Sequence, residues 1–317
     1  MLRRSLALLL GRHFWVFALA MMAAGLWLPG DWTWLRPTIP FLLGGILFFT
    51  ALKVRVSAVA GELRGGARIG RLGLLTTIKL VALPLLAWGI ARLVAPEWAL
   101  GVLLVTAMPA GLSATAVTDL YGGNVALAMV LTFLTSVACP LTVPVLLQML
   151  DPRAGGIDAG LLAERALYIV LLLVIPFALA QVARRLAPDL IERHFHRWTY
   201  GAILSSCLLI FASIAANRAA WAHLPTSALA VPLALNAVAM AVGIAVALLS
   251  TRRRLVAGDA AAFAFCCAWM NNGLAVAFAD RFFHGQAGVI LGPVLMQLPI
   301  IAGVSFLGWW TRRRPAT

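Results

Sequence analysis

A succession of apolar stretches, each about 20 residues long, runs along nearly the whole of this chain. A helix of that length crosses the roughly 30 Å hydrocarbon core of a bilayer. The composition agrees, because 62% of the residues are hydrophobic and 11% are charged, whereas soluble domains average about 45–50% and about 25%. The sequence therefore predicts an all-α polytopic membrane protein without a sizeable soluble domain.

The apolar stretches divide into ten predicted transmembrane helices. They cover residues 12–29, 34–53, 70–93, 96–119, 124–149, 164–186, 197–221, 225–250, 256–279 and 286–310. Arginines concentrate in alternate loops and at both ends of the sequence, which places both termini in the cytoplasm and requires an even number of spans. The net charge of +14 therefore reports orientation in the bilayer, and we expect no nucleic-acid partner.

Few side chains in these stretches suit catalysis or metal binding. The four cysteines lie in apolar segments, where buried free thiols are the common case, and their spacing suits no zinc site. No acid–base pair, nucleophile elbow or phosphate-binding glycine loop occurs at the predicted membrane depth. We therefore expect a protein that is not an enzyme and that uses no metal and no cofactor.

Lys79 is the exception among these apolar residues. It lies about eight residues inside the third predicted span, roughly 12 Å from the nearest inner loop at 1.5 Å per residue. A lysine side chain can snorkel over nearly that distance. Ionisable residues inside a span are functional candidates by default, so we favour a charge that faces the interior of the helix bundle.

The fourth and ninth predicted spans share a sequence pattern. One contains MPAGLSATAVTDLYGGN and the other MNNGLAVAFADRFFHGQ. The matching residues are Met108, Gly111, Leu112, Gly123, Asn124 and Met270, Gly273, Leu274, Gly285, Gln286. The two copies are five spans apart, and an odd offset predicts two halves of opposite orientation, as in many secondary transporters.

Both copies contain residues that interrupt a helix near mid-span. Pro109 and Gly111 destabilise the fourth span, and Asn271, Asn272 and Gly273 destabilise the ninth. Unwound backbone at that depth requires protein or water to satisfy it. Breaks at equivalent places in two inverted halves indicate a binding site, where the N-termini of half-helices attract an anion.

These segments resemble the two crossover segments of the bile acid:sodium symporter family. The similar stretches run from Pro109 to Thr132 and from Met270 to Ala279. Their most specific parts are GNVAL at 123–127 and NNGLA at 271–275. Members of that family move organic anions, from bile acids to small carboxylates, by alternating access. The resemblance therefore implies a secondary transporter in the bacterial inner membrane.

The resemblance also implies a particular arrangement of the ten helices. Two inverted five-helix repeats would occupy residues 1–163 and 164–317, with broken crossing helices four and nine. A panel domain would comprise about 12–53 and 164–221, and a core domain about 70–149 and 225–310.

The sequence departs from the family pattern where the coupling ion is expected. Sodium-coupled members usually have a glutamate at the position of Cys266 and a glutamine at the position of Lys79. The other positions equivalent to the ion site are Ala114, Thr115, Ala128, Thr132 and Met270. Among them only Thr132 keeps the family residue.

Our hypothesis is that the Lys79 ammonium replaces the charge of the ion. Sodium prefers several oxygen ligands and usually a carboxylate, yet all the acidic residues map to loops or span ends. Sodium-independent transport of an organic anion is the expected result. A permanently charged lysine predicts uniport or exchange, whereas a lysine that loads and releases a proton in each cycle predicts proton coupling.

Other functions stay open, namely a sodium-coupled symporter of the same family and a non-transporting ligand-binding sensor derived from it. An arsenite or auxin-type carrier of related architecture is a further alternative, against which GNVAL at 123–127 argues. In each case we expect the substrate to contact Gly111, Ser113, Thr115, Asn271, Asn272, Gly273 and Gln297. Asn236, near the middle of the eighth span, is expected to hold helices together. The expected partners are the small organic anion and the lipid bilayer, without an obligate protein partner.

Overall fold

The computed structural model describes residues 14–52, 66–111, 113–151, 158–221, 229–251 and 257–312. Regular structure in these ranges is helical, apart from one isolated β-bridge. Some predicted features lie outside the described residues, namely residues 12–13, 53, 225–228 and 256 at the ends of predicted spans, Leu112, and many of the loop arginines.

The helices have the following bounds. In chain order they are α1 (Phe14–Trp27), α2 (Ile39–Ala51), α3 (Gly66–Thr77), α4 (Leu83–Val94), α5 (Ala99–Ala107), α6 (Ser113–Leu120), α7 (Val125–Leu150), α8 (Ala159–Leu186), α9 (Pro188–Arg193), α10 (Phe195–Ala216), α11 (Arg218–Trp221), α12 (Ala230–Thr251), α13 (Ala257–Ala268), α14 (Asn272–Phe282), α15 (Ala287–Leu295) and α16 (Gln297–Arg312). A π-helical turn occupies Ile78–Ala82, and short 3₁₀ segments occupy Thr33–Thr38 and Pro96–Trp98.

Seven helical segments in the described ranges are long and apolar enough to cross a membrane. They are Thr33–Ala51, Ile69–Val94, Val125–Leu150, Ala159–Leu186, Arg197–Ala216, Ala230–Leu249 and Ala287–Thr311. Shorter apolar helices occupy Val16–Trp27, Pro96–Ala107 and Gly258–Ala268. Two of these short helices fall in the fourth and ninth predicted spans, where the sequence predicts a break. The count of ten spans stays a prediction.

The chain divides into two compact units. The first takes the described residues of Met1–Val54, Tyr168–Leu224 and Val276–Ala287. In this unit α10 packs against α1 and α2. Glycines allow the close approach, because a Cβ at Gly25 would lie 2.9 Å from the Cβ of Ile214, and one at Gly201 would lie 2.8 Å from the ring of Phe49. Small residues bring helices together in the same way in other membrane proteins.

A polar cluster holds the end of α14 within the first unit. The Asp280 carboxylate accepts a hydrogen bond from Asn217 Nδ2 at 2.9 Å and lies 3.9 Å from Nε of Arg36. Nη1 of Arg36 lies 2.8 Å from Nε2 of His284. Because a guanidinium only donates, this imidazole nitrogen is the acceptor.

The second unit takes the described residues of Arg55–Leu167, Pro225–Ala275 and Gly288–Thr317. Within it, α3, the π-helical turn and α4 form one long helix that carries Lys79. Pro84 has no N–H for the usual bond to the carbonyl four residues earlier. In the turn before it, the N–H of Leu83 donates to the carbonyl of Ile78, five residues earlier. Single π-turns of this kind frequently mark functional sites.

Candidate functional site

The fourth predicted span is interrupted between α5 and α6. α5 ends at Ala107, and Met108 adopts an extended conformation with φ −64° and ψ 149°. The residue before a proline favours that conformation, and Pro109 has no N–H with which to continue the helix. Helical structure resumes at Ser113. The predicted break in this span is therefore present.

The ninth predicted span is interrupted between α13 and α14. α13 ends at Ala268, and α14 begins at Asn272. The side-chain oxygen of Asn271 accepts a hydrogen bond from the N–H of Leu274 at 3.2 Å. Asn271 therefore caps the N-terminus of α14, which is a common role for asparagine.

The two interruptions pair with each other through their backbones. The N–H of Gly111 donates to the carbonyl of Trp269 at 2.8 Å, and the N–H of Asn271 donates to the carbonyl of Pro109 at 2.8 Å. The bridge places Ala110 opposite Met270. These bonds satisfy polar groups that the broken helices would otherwise leave unpaired in an apolar interior. We call this antiparallel pair the crossover.

Gly111 permits the crossover because it has no side chain. A Cβ at this position would lie 2.8 Å from Cδ1 of Trp269 and 3.4 Å from the carbonyl oxygen of Met270. The close approach of the two segments thus explains why a glycine occupies this position in the break.

Lys79 directs its ammonium group at the first interruption. Nζ donates to the carbonyl oxygen of Thr106 at 2.9 Å and to that of Met108 at 2.8 Å, and the residue is 1% exposed. The side chain therefore does not extend along its helix toward the inner loop, as snorkelling would require. The C-terminal end of α5 is the negative end of its dipole, which favours a cation there.

No carboxylate pairs with this ammonium in the part of the chain that the structure describes. The groups that interact with Lys79 electrostatically are instead the thiols of Cys139, Cys266 and Cys267. All three cysteines are at most 1% exposed. Backbone carbonyls and the helix dipole therefore compensate the charge of Lys79.

Comparison with known proteins decides the class to which this chain belongs. Residues 46–304 match the profile of the SBF-like CPA transporter family. The chain is a member of this family. The match confirms the family resemblance of the crossover segments and identifies an integral membrane protein, together with the seven long apolar helices.

A named relative of this family member comes from Bacillus subtilis (strain 168). It is an uncharacterized sodium-dependent transporter, YocS, which is 23% identical over 217 residues. The aligned region covers 68% of this chain and 66% of the relative. The chain therefore matches slightly less than two thirds of that protein's length.

Most of the positions that the sequence predicts as equivalent to the ion site are buried in this member. Ala114, Ala128, Thr132, Cys266 and Met270 are all at most 2% exposed. The Cys266 thiol lies 3.7 Å from the carbonyl oxygen of Ala128, toward which it donates. Thr132 lies one helical turn beyond Ala128 on α7. Thr115, on the first turns of α6, is partly buried and has a partner.

The expected substrate residues lie around the crossover and beside the tenth span. Asn272 donates from Nδ2 to the carbonyl of Pro293 at 2.6 Å. Gln297 begins α16, one helical turn after Pro293. The partly buried residues are Ser113, Asn271, Asn272, Gly273 and Gln297, whereas Gly111 is buried. Their role in substrate binding stays a prediction.

Two further side chains support the site, and the sequence did not single out the first of them. The Thr135 hydroxyl accepts the N–H of Ala110 at 3.2 Å and donates to the carbonyl of Leu131 at 2.7 Å. Asn236 donates from Nδ2 to the carbonyl of Gly292 at 2.7 Å, next to the carbonyl that Asn272 uses. The only sequence signal for Thr135 is a polar residue at helical spacing from Thr132.

Proposed function

We propose that this protein is a secondary transporter that moves an organic anion, either bile-acid-like or a small carboxylate, by alternating access. Membership of a transporter family supports the transport class. The proposal needs no cofactor, nucleic acid or obligate protein partner. The proposed location is the bacterial inner membrane, and the arginine distribution supports an orientation with both termini in the cytoplasm.

The observation that carries the proposal is the position of the Lys79 ammonium. It is a buried positive charge held by two carbonyl oxygens, 2.9 Å and 2.8 Å away, at the break of a crossing helix. In sodium-coupled members of the family, the coupling ion would bring a positive charge to this same region. A lysine there supplies a positive charge of its own, so the transport cycle needs no sodium.

The crossover also suits an anionic substrate. α6 and α14 begin at Ser113 and Asn272, beside the paired breaks. N-termini of helices carry partial positive charge, which attracts carboxylates. Together with Lys79 they favour an anion over a cation.

Uptake into proteoliposomes tests the proposal. Radiolabelled pyruvate and taurocholate serve as a small carboxylate and a bile acid, in sodium, in potassium and with an imposed pH gradient. We expect uptake by the wild type to be equal in sodium and potassium, and to be lost in Lys79→Gln. Arg92→Gln is the matched control, since it removes an exposed positive charge from α4 of the same long helix. A response to the pH gradient would indicate proton coupling, and none would indicate uniport or exchange.

A sodium-coupled symporter is the second candidate. The observation in its favour is that the relative from Bacillus subtilis, YocS, is described as a sodium-dependent transporter. Uptake by the wild type that sodium stimulates and potassium does not would support this candidate and overturn the replacement of the ion by Lys79.

A further inference from the structure

The end of α6 is shaped by a glycine turn that delivers Asn124 to α13. Gly122 has a φ of +71°, its N–H donates to the carbonyl of Asp119 at 3.1 Å, and the N–H of Gly123 donates to that of Thr118 at 2.9 Å. This pair of bonds and the left-handed glycine form a Schellman motif, which ends a helix and reverses the chain. Asn124 follows directly.

Asn124 makes contacts in two directions at once. Its side-chain oxygen accepts the N–H of Leu127 at 3.1 Å and so caps α7. Its Nδ2 donates to the Asp259 carboxylate at 2.7 Å, and its own N–H donates to the carbonyl of Gly258 at 2.9 Å. Asp259 lies in the first turn of α13, where a carboxylate is favourable.

Tyr121 adds an apolar contact at the same place. Its ring stacks on that of Phe265 of α13, with centroids 5.5 Å apart and planes inclined by 15°. The ring also fills the space that a Cβ at Gly308 of α16 would occupy. The turn after α6 therefore contacts α13 by polar and by aromatic groups.

The opposite end of the same helix pair is joined by the crossover. α6 begins two residues after Gly111, whose N–H donates to Trp269 directly after α13. Thus α6 and α13, which belong to different broken spans, are joined at both ends. At 1.5 Å per residue both helices are short, about 12 and about 18 Å long, so joints at both ends leave little freedom for relative rotation.

We propose that Asn124 and Asp259 are positioning residues that clasp α6 to α13, so that these two half-helices behave as one rigid body. Asn124 and Asp259 lie at the end of the helix pair that is remote from the crossover. By joining α6 to α13 there, they help to fix the start of α6 and the end of α13 at the candidate site. The two residues act on the crossover itself, whatever the identity of the substrate.

Native cysteines report on the clasp without any knowledge of the substrate. Cys266 and Cys267 lie on α13 and are at most 1% exposed, whereas Cys207 lies on α10 in the first unit and is 7% exposed. The purified full-length protein in nanodiscs is treated with short pulses of N-ethylmaleimide below its melting temperature. Peptide mass spectrometry then gives the alkylation rate of each cysteine.

The variants first remove the hydrogen bond between Asn124 and Asp259 and then restore it in the reverse direction. Asn124→Asp keeps the cap, because aspartate caps as well as asparagine, but opposes Asp259 with a like charge. We expect it to speed alkylation of Cys266 and Cys267 by about ten-fold through local opening, with Cys207 unchanged. The double variant Asn124→Asp/Asp259→Asn restores a donor–acceptor pair in reversed order, and we expect rates within about two-fold of the wild type.

Three outcomes would overturn the clasp. They are an Asn124→Asp protein alkylated like the wild type, a double variant as reactive as the single one, and an equal rise at Cys207. If Asn124→Asp does not yield folded protein, Asp259→Ala removes the acceptor without adding charge. It is expected to speed alkylation of the same two cysteines, and an unchanged rate would contradict the proposal.

Discussion

Nζ of Lys79 donates to the carbonyl oxygen of Met108 at 2.8 Å, and Met108 is the residue at which the chain becomes extended after α5. The side chain thus satisfies a carbonyl that the break leaves without a helical partner. Burial of the ammonium group costs free energy in an apolar interior, and so does a backbone carbonyl that the break leaves without a donor. The hydrogen bond between the two groups reduces both costs.

Removing the Lys79 donors is expected to destabilise the protein. In Lys79→Met the carbonyls of Thr106 and Met108 lose their donor, at about 1–3 kcal/mol for each buried group. Lys79→Gln keeps an amide donor and should cost less. In thermal unfolding in detergent, the melting temperature should therefore be highest for the wild type, lower for Lys79→Gln and lowest for Lys79→Met. A higher melting temperature for Lys79→Met would show that burial of the charge outweighs these hydrogen bonds.

A sodium response should appear when the family residues are restored. The double variant Lys79→Gln/Cys266→Glu removes the ammonium and supplies a carboxylate, the ligand that a hard cation prefers. We expect its melting temperature to be several degrees higher in sodium chloride than in potassium chloride at equal ionic strength, by ligand-linked stabilisation. The wild type should melt at the same temperature in both salts. A sodium-specific rise in the wild type would contradict the replacement hypothesis.

Gly111→Ala should disrupt the crossover. The new Cβ would lie 2.8 Å from Cδ1 of Trp269 and 3.4 Å from the Met270 oxygen, so the indole ring must shift and the backbone pair must loosen. We expect a loss of uptake and a lower melting temperature. Gly89→Ala is the matched control, because a Cβ at Gly89 in α4 meets nothing within 4 Å and alanine favours a helix. Equal behaviour of the two variants would argue against a close contact at Gly111.

Thr135→Val should weaken the same break from the side of α7. Valine preserves the shape of threonine but removes the acceptor of the Ala110 N–H, which is 3.2 Å from the hydroxyl. A buried N–H without a partner costs about 1–3 kcal/mol. Denaturation should show this loss for Thr135→Val and almost none for Thr142→Val, whose hydroxyl bonds only to its own helix at 3.3 Å. Thr135→Ser should retain most of the stability, since the oxygen remains.

The sequence allowed the interruptions to be predicted because their causes are local. Pro109 cannot donate to the preceding turn, and Asn271 suits a cap, whatever surrounds them. The partners of these breaks could not be predicted in the same way. The repeat pattern aligned Met108 with Met270, whereas the bridge pairs Ala110 with Met270, because the packing of two helices and not their similarity sets the register.

The polar supports of the site show the same limit. Thr135 resembles any threonine of an apolar helix, and Asn124 resembles an ordinary cap. Their second partners, Ala110 and Asp259, lie 25 and 135 residues away along the chain. Short-range spacing carries no information about contacts at such separations.

The sequence by itself determined that this chain is a helical membrane protein with a charge in its third predicted span and breaks in two others. These properties follow from the transfer of side chains into lipid and from the backbone preferences of proline, glycine and asparagine, which act over a few residues. Only the tertiary structure decided that the Lys79 ammonium reaches the carbonyls of Thr106 and Met108 and that the two breaks pair. Hydrogen bonds need atoms within about 3 Å, and for residues far apart in the chain only the packing of the helices brings them that close.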